Sequence, residues 1–129
     1  MGDDGTACPR HAATMRKGLG HPARREDLFG GHGEVLVWDL LGAASIAPFT
    51  AVLACELSPG GRVGTHLQEQ FDEIVVVTEG EGSAELDGVA CPVGAGSLLA
   101  LPLGSTLAIT NGSTEHPLRY LIVKAAGPR

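Results

Sequence analysis

The sequence predicts an all-β fold, a small sandwich or jelly-roll barrel of about nine short strands with an irregular N-terminal arm. Three observations predict it. Nineteen glycines and eight prolines fall between short apolar runs, so the chain is cut into strand-length pieces. Turn signals recur about every eight to twelve residues, the spacing of short strands in a closed sheet. No segment after residue 33 carries a helical period long enough to compete. At 129 residues the chain holds one core and not two.

Residues 1–33 are polar and punctuated by glycine and proline. Their best helical stretch, Ala12–Lys17, is too short to stand alone. This segment reads as an arm lying on the barrel or on a neighbouring subunit. His11, His21 and His32 are ten or eleven residues apart, a spacing that suits no ligand cluster on one element. Cys8 with His11 makes half a zinc pattern without its second half. All four read as structural or exposed. The barrel domain is residues 34–129. Strands are predicted at Glu34–Leu40 and Phe49–Leu57, with a partly extended connector between them. Asp87-Gly88 is a two-residue hairpin signal joining Ser83–Leu86 to Val89–Val93. Ser97–Leu101 ends at Pro102, Thr106–Thr110 follows, and Leu118–Lys124 closes the barrel.

Pro59–Gly82, PGGRVGTHLQEQFDEIVVVTEGEG, is the stretch where chemistry concentrates. A glycine turn leads to a short strand carrying His66 and Gln68, which share a face because they are two apart. A polar corner then turns the chain back through Glu73 into a valine strand. An imidazole, an amide oxygen and a carboxylate thus converge, a set suited to a divalent cation or to a polar ligand. The run Ile74–Val77 is apolar on both faces, so its strand is covered twice or lies at a subunit interface.

The spacing of Gly60, His66, Gln68, Glu73 and Gly80 resembles the first motif of the cupin family, G-x5-H-x-H-x3,4-E-x6-G, with Gln68 at the second histidine. Gly96, Pro102, Gly104 and Asn111 resemble the second motif, G-x5-P-x-G-x2-H-x3-N, with Leu107 at its histidine. The resemblance spans residues 60–111 and implies a small single-domain cupin barrel. It also implies a homodimer packed sheet to sheet, and a metal held inside by three histidines and a glutamate. Carried over residue by residue, His66 and Glu73 are unaltered, Gln68 supplies a weaker and harder oxygen donor, and Leu107 supplies nothing. His66, Gln68 and Glu73 would then hold iron, manganese, nickel or zinc less tightly than a full set. Glu73, or a water on the metal, would move protons.

A histidine, a glutamine and a glutamate in a barrel mouth also satisfy one another by hydrogen bonding, with no metal at all. Two readings therefore stand. In one, the protein binds a small polar molecule, with or without a weakly held metal. In the other, it is a metal-dependent oxygenase, isomerase or decarboxylase. Glu69 and Asp72 read as a solvated corner. His116, beside Pro117, reads as exposed and is the nearest candidate for a replacement ligand. Arg62 and Arg119 read as surface residues, with contact to an acidic ligand as the other option.

Several function classes are disfavoured. The formal charge of −6 gives no reason to approach nucleic acid or an anionic membrane, and Arg24-Arg25 is too little for a binding stripe. No G-x-S-x-G elbow and no glycine loop leading into a helix is present. The three cysteines form no CxxC pair. Buried free thiols at Cys55 and Cys91 fit a reducing cytoplasm. No apolar run is long enough to span a bilayer, and Met1-Gly2 with Thr6 matches an acylation pattern only loosely.

Overall fold

A computed structural model describes residues 20–127. Ten strands follow in order: β1 Ala23–Glu26, β2 Glu34–Asp39, β3 Phe49–Leu57, β4 Arg62–Leu67, β5 Asp72–Glu79, β6 Glu81–Leu86, β7 Val89–Gly94, β8 Leu98–Leu101, β9 Thr106–Asn111 and β10 Leu118–Ala125. The only helical piece among the described residues is a 3-10 turn at Leu28–Gly30. No described helix is long and apolar enough to cross a membrane.

The strands form two antiparallel sheets. One has the order β1-β2-β3-β10-β5-β8 and the other β4-β9-β6-β7. Consecutive strands alternate between sheets at several points, which is the jelly-roll wrapping. The strand beyond the expected nine is β1, which comes from the arm and pairs with β2 from Ala23↔Val37 to Glu26↔Glu34. Residues 1–19, including Ala12–Lys17, Cys8 and His11, lie outside the described residues. The hairpin at Asp87-Gly88 has both residues at positive φ, 51° and 83°, as a tight two-residue turn between twisted strands requires.

The core lies between the sheets. Period-two alternation sends Val75 and Val77 inward on β5 and Leu118 and Tyr120 inward on β10, to meet Val63, Leu107 and Ile109 from the smaller sheet. Leu57, Leu101, Leu107 and Leu118 are almost fully buried, and each contributes roughly 1.5–3 kcal/mol of apolar burial. The outer face of the larger sheet is also apolar. Trp38, Ala54, Leu121, Val76 and Leu98 form one continuous row across five strands. Ile74 and Leu98 remain exposed there, so the valine strand is covered on one face only among the described residues. Arg119 closes one end of this face by pairing with Glu56 and Glu79 at 3.0 Å, and Arg62 pairs with Glu85 at 3.3 Å. Both arginines have protein partners.

Candidate functional site at the barrel mouth

His66 points into the barrel because of a defect in its strand. Val63 is buried and pairs with Ile109, whereas His66 pairs with Leu107, so Gly64 and Thr65 together oppose the single residue Ala108. Strict alternation from Val63 would turn His66 outward. The bulge inserts one residue, reverses the parity and aims the imidazole inward. Its Nδ1 lies 3.0 Å from the Gly64 carbonyl oxygen; as the donor in that contact, it leaves Nε2 free to face the interior.

A lid of aromatic carbon lies on this imidazole. The Phe29 and His66 rings stack with centroids 4.2 Å apart and planes 13° from parallel. The 3-10 turn that carries Phe29 is held in an unfavourable backbone state, with Asp27 at φ 51° and Phe29 at φ 55°. Such left-handed residues cost roughly 1–3 kcal/mol each unless the surroundings impose them. Here the paired amides of His32 and Arg62, and the His32 Nε2 contact to the Gly60 carbonyl at 2.9 Å, clamp the turn to β4. Gly64 is needed for this approach, because a Cβ there would strike the Phe29 carbonyl. His32 is therefore structural, as the sequence suggested.

Below Phe29 lies a cavity of about 160 Å³. Its walls are mostly hydrocarbon, from residues such as Val37, Leu53, Val63, Ile109 and Ile122, and its polar groups are His66, Glu73, Lys124, Cys55 and Tyr120. Glu73 is 4 % exposed. Burial pushes its carboxyl above the usual range, and the Lys124 charge draws it partly back. Lys124 sits directly across the β5–β10 ladder from Glu73, with Nζ 3.7 Å from Oε1, an ion-pair distance longer than a hydrogen bond. Burial and the neighbouring Glu73 charge push the Cys55 thiol up to about 12, so it is a neutral and unreactive group. Burial, followed by the Cys55 and Glu73 charges, also raises Tyr120.

Gln68 follows β4 by one residue and is 6 % exposed. Its backbone is fixed by bonds with Ser105 and Gly104, but its side-chain Nε2 is buried without a hydrogen-bond partner. It lines an outer mouth of about 310 Å³ together with Phe29, His66, Glu69 and Lys124. Thus His66 and Lys124 border both spaces, Glu73 lies on the inner one and Gln68 on the outer one. Asp72 is engaged elsewhere, accepting a bond from the Leu103 amide at 2.8 Å. His116 is exposed in a loop at the far end of β5 from Glu73, where it lines a broad open depression. Position excludes it as a replacement ligand.

The donor set does not fit a tightly held divalent metal. His66 Nε2 and the Glu73 carboxylate are suitable donors, but Leu107 stands directly opposite His66 and presents only hydrocarbon. Lys124, with its ammonium 3.7 Å from the carboxylate, already supplies a positive charge beside Glu73. Among the described residues no group of three or more His, Cys, Asp or Glu side chains is placed to hold a metal. Lys124 is a candidate site residue that the motif spacing does not mark. Its signal was the alternation Leu118, Tyr120, Ile122, Lys124, which sends the lysine inward with the three core residues.

Comparisons agree with this architecture. A predicted oxalate decarboxylase from Thermotoga maritima superposes with a TM-score of 0.73 at 26 % identity, over 83 % of this chain and 93 % of that one. A cupin 2 conserved barrel domain protein from Salinispora arenicola gives 0.71 at 21 %, over 89 % and 91 %. A polyketide cyclase from Streptomyces resistomycificus gives 0.69 at 20 %, over 89 % and 81 %. The last two show the fold alone. No curated protein matches. The cupin domain family model covers residues 53–124, from the middle of β3 to the lysine in the site, and the chain belongs to that family.

Proposed function

We propose that the protein is a binding barrel for a small molecule, whose apolar body enters the inner cavity and whose polar end stays at the mouth. The observation that carries this reading is the cavity itself, hydrocarbon on its walls and polar at His66, Glu73 and Lys124. Pockets of this kind use apolar contact for affinity and a few convergent polar groups for orientation. Volume sets the scale, since an apolar cavity of about 150 Å³ takes one benzene ring. A ligand with a single ring or a short branched chain therefore suits about 160 Å³.

The second reading, a metal-dependent enzyme using His66, Gln68 and Glu73, draws support from the buried Glu73 and the inward His66. It draws support also from the likeness to a predicted oxalate decarboxylase. Leu107 and Lys124 weigh against it. Elemental analysis of protein purified without chelator, paired with mass spectrometry of solvent-extracted ligands, separates the two. We expect well under one equivalent of iron, manganese, nickel or zinc, none taken up on reconstitution, and a small organic molecule in the extract. A stoichiometric metal that survives dialysis would overturn the binding reading in favour of the enzyme.

A further inference from the structure

We propose that the ligand is a small carboxylate with an apolar body, and that Lys124, with Gln68 beside it, receives the carboxylate at the barrel mouth in place of a metal ion. This rests on the binding reading above and names the chemical class of the ligand. Two independent observations carry it. The first is Lys124, a cation bordering both the inner cavity and the outer mouth. Its Nζ approaches Glu73 only to 3.7 Å, and an ammonium has three N–H groups, so donors remain for an incoming oxygen. The second is Gln68, whose side chain lines the same mouth and whose Nε2 is buried with no partner. A buried amide N–H left unpaired is a standing desolvation cost, and an acceptor oxygen on a ligand removes it.

Both unmatched groups are donors, so the complementary ligand end is an acceptor. The charges around it are accounted for. Glu73 on β5 faces Lys124 and is paired with it. Glu69 also lines the mouth but is exposed, where water and salt screen it. Asp72 is held by the Leu103 amide. His66 offers Nε2 on β4, and Cys55 and Tyr120 stay neutral below. Phe29 stacked on His66 leaves an aromatic roof over the opening, which suits a flat ligand body.

The test uses three probes with one body and different ends: benzoate, benzyl alcohol and benzylamine. Each is titrated by calorimetry into the full chain, with and without EDTA. We expect benzoate to bind at least about tenfold more tightly than benzyl alcohol, as a charge-assisted contact does, with benzylamine weakest and EDTA without effect. Lys124→Met should abolish the preference for benzoate over benzyl alcohol, and Lys124→Arg should keep it. The arginine variant guards against a methionine variant that fails to fold around an unpaired Glu73. Equal binding of benzoate and benzyl alcohol, or tighter binding of benzylamine, overturns the anion assignment and leaves the binding barrel standing. Loss of benzoate binding in EDTA overturns it in favour of a metal. No binding by any probe overturns both this proposal and the binding reading it rests on.

Discussion

Two buried amides stand at opposite ends of the β4–β9 ladder and are treated in opposite ways. Asn111 ends β9 and is 3 % exposed. Its Nδ2 lies 3.2, 3.1 and 2.9 Å from the carbonyl oxygens of Leu57, Ser58 and His116, and its Oδ1 accepts the Ser113 amide at 2.9 Å. Two N–H groups thus serve three acceptors, and every polar atom of the side chain is used. Gln68, just past β4, is comparably buried but keeps an unpartnered Nε2. A fully satisfied buried amide rigidifies what it touches, whereas an unsatisfied one is a standing cost that a protein keeps only for a reason. The closed end of the barrel is built for stability and the mouth for something yet to arrive. Apart from Asp87 in its hairpin turn, the non-glycine left-handed residues among the described ones, Asp27 and Phe29, belong to the turn over the mouth.

The largest effect that sharpens this contrast is at the closed end. Asn111→Leu keeps the branched side-chain shape but removes a hydrogen bond from three carbonyls and one amide at once. The expected loss is about 3 kcal/mol or more, since breaking a shared buried network costs more than one hydrogen bond. In a domain of this size that lowers Tm by at least about 10 °C, read by circular dichroism. A loss of only a degree or two would mean that water replaces the amide easily, and the closed end would not be the rigid half.

The fold was legible because its signals are local. Asp87-Gly88 marks a hairpin through its own backbone preferences, and the motif glycines mark corners in the same way. Leu107 opposite His66 was legible from motif spacing, and the strand register places it there. The site was harder to read because its geometry depends on pairing. Gly64 inside β4 hints at a bulge, but where the extra residue falls is set only by pairing with β9, and that decides which way His66 points. Phe29 reaches His66 from the arm through a strained turn that nothing in the neighbouring residues announces. In the sequence Lys124 is an ordinary strand end, and only the inward course of Tyr120 and Ile122 marks it. Asn111 fits the motif spacing, but its role as a knot for the loop to His116 needs three carbonyls brought from 5, 53 and 54 residues away.

A smaller effect tests whether burial or pairing governs the carboxylate at the mouth. Glu73 titrates above the ordinary carboxylate range, raised by burial and only partly lowered by Lys124. A carboxyl raised in the folded state holds its proton more firmly there than in the unfolded chain. Its contribution is therefore fully present below the unfolded value, and is lost as pH rises through the folded one. Other carboxylates titrate in the same range, so the quantity to follow is the difference in Tm between the native protein and Glu73→Gln. The native protein should lose ground to the variant as pH climbs from about 4 toward neutrality. If it gains ground instead, Lys124 outweighs burial, the pair is a fixed structural bridge, and the mouth resembles the closed end more than the contrast allows.

The smallest effect on stability is the most informative about the mouth. Gln68→Met keeps an unbranched side chain of similar length and removes the unpartnered N–H. The desolvation penalty of that group disappears, so Tm should stay level or rise, by up to about 1 kcal/mol in free energy. Benzoate binding should weaken several-fold in the same variant, because the oxygen it brings has lost one of its two donors. Stability and binding then move in opposite directions, which a merely structural amide cannot produce. Should Gln68→Met lose stability as Asn111→Leu does, the glutamine has a partner in solution. It would then belong with the asparagine as scaffolding, and Lys124 would be left as the sole donor to the ligand.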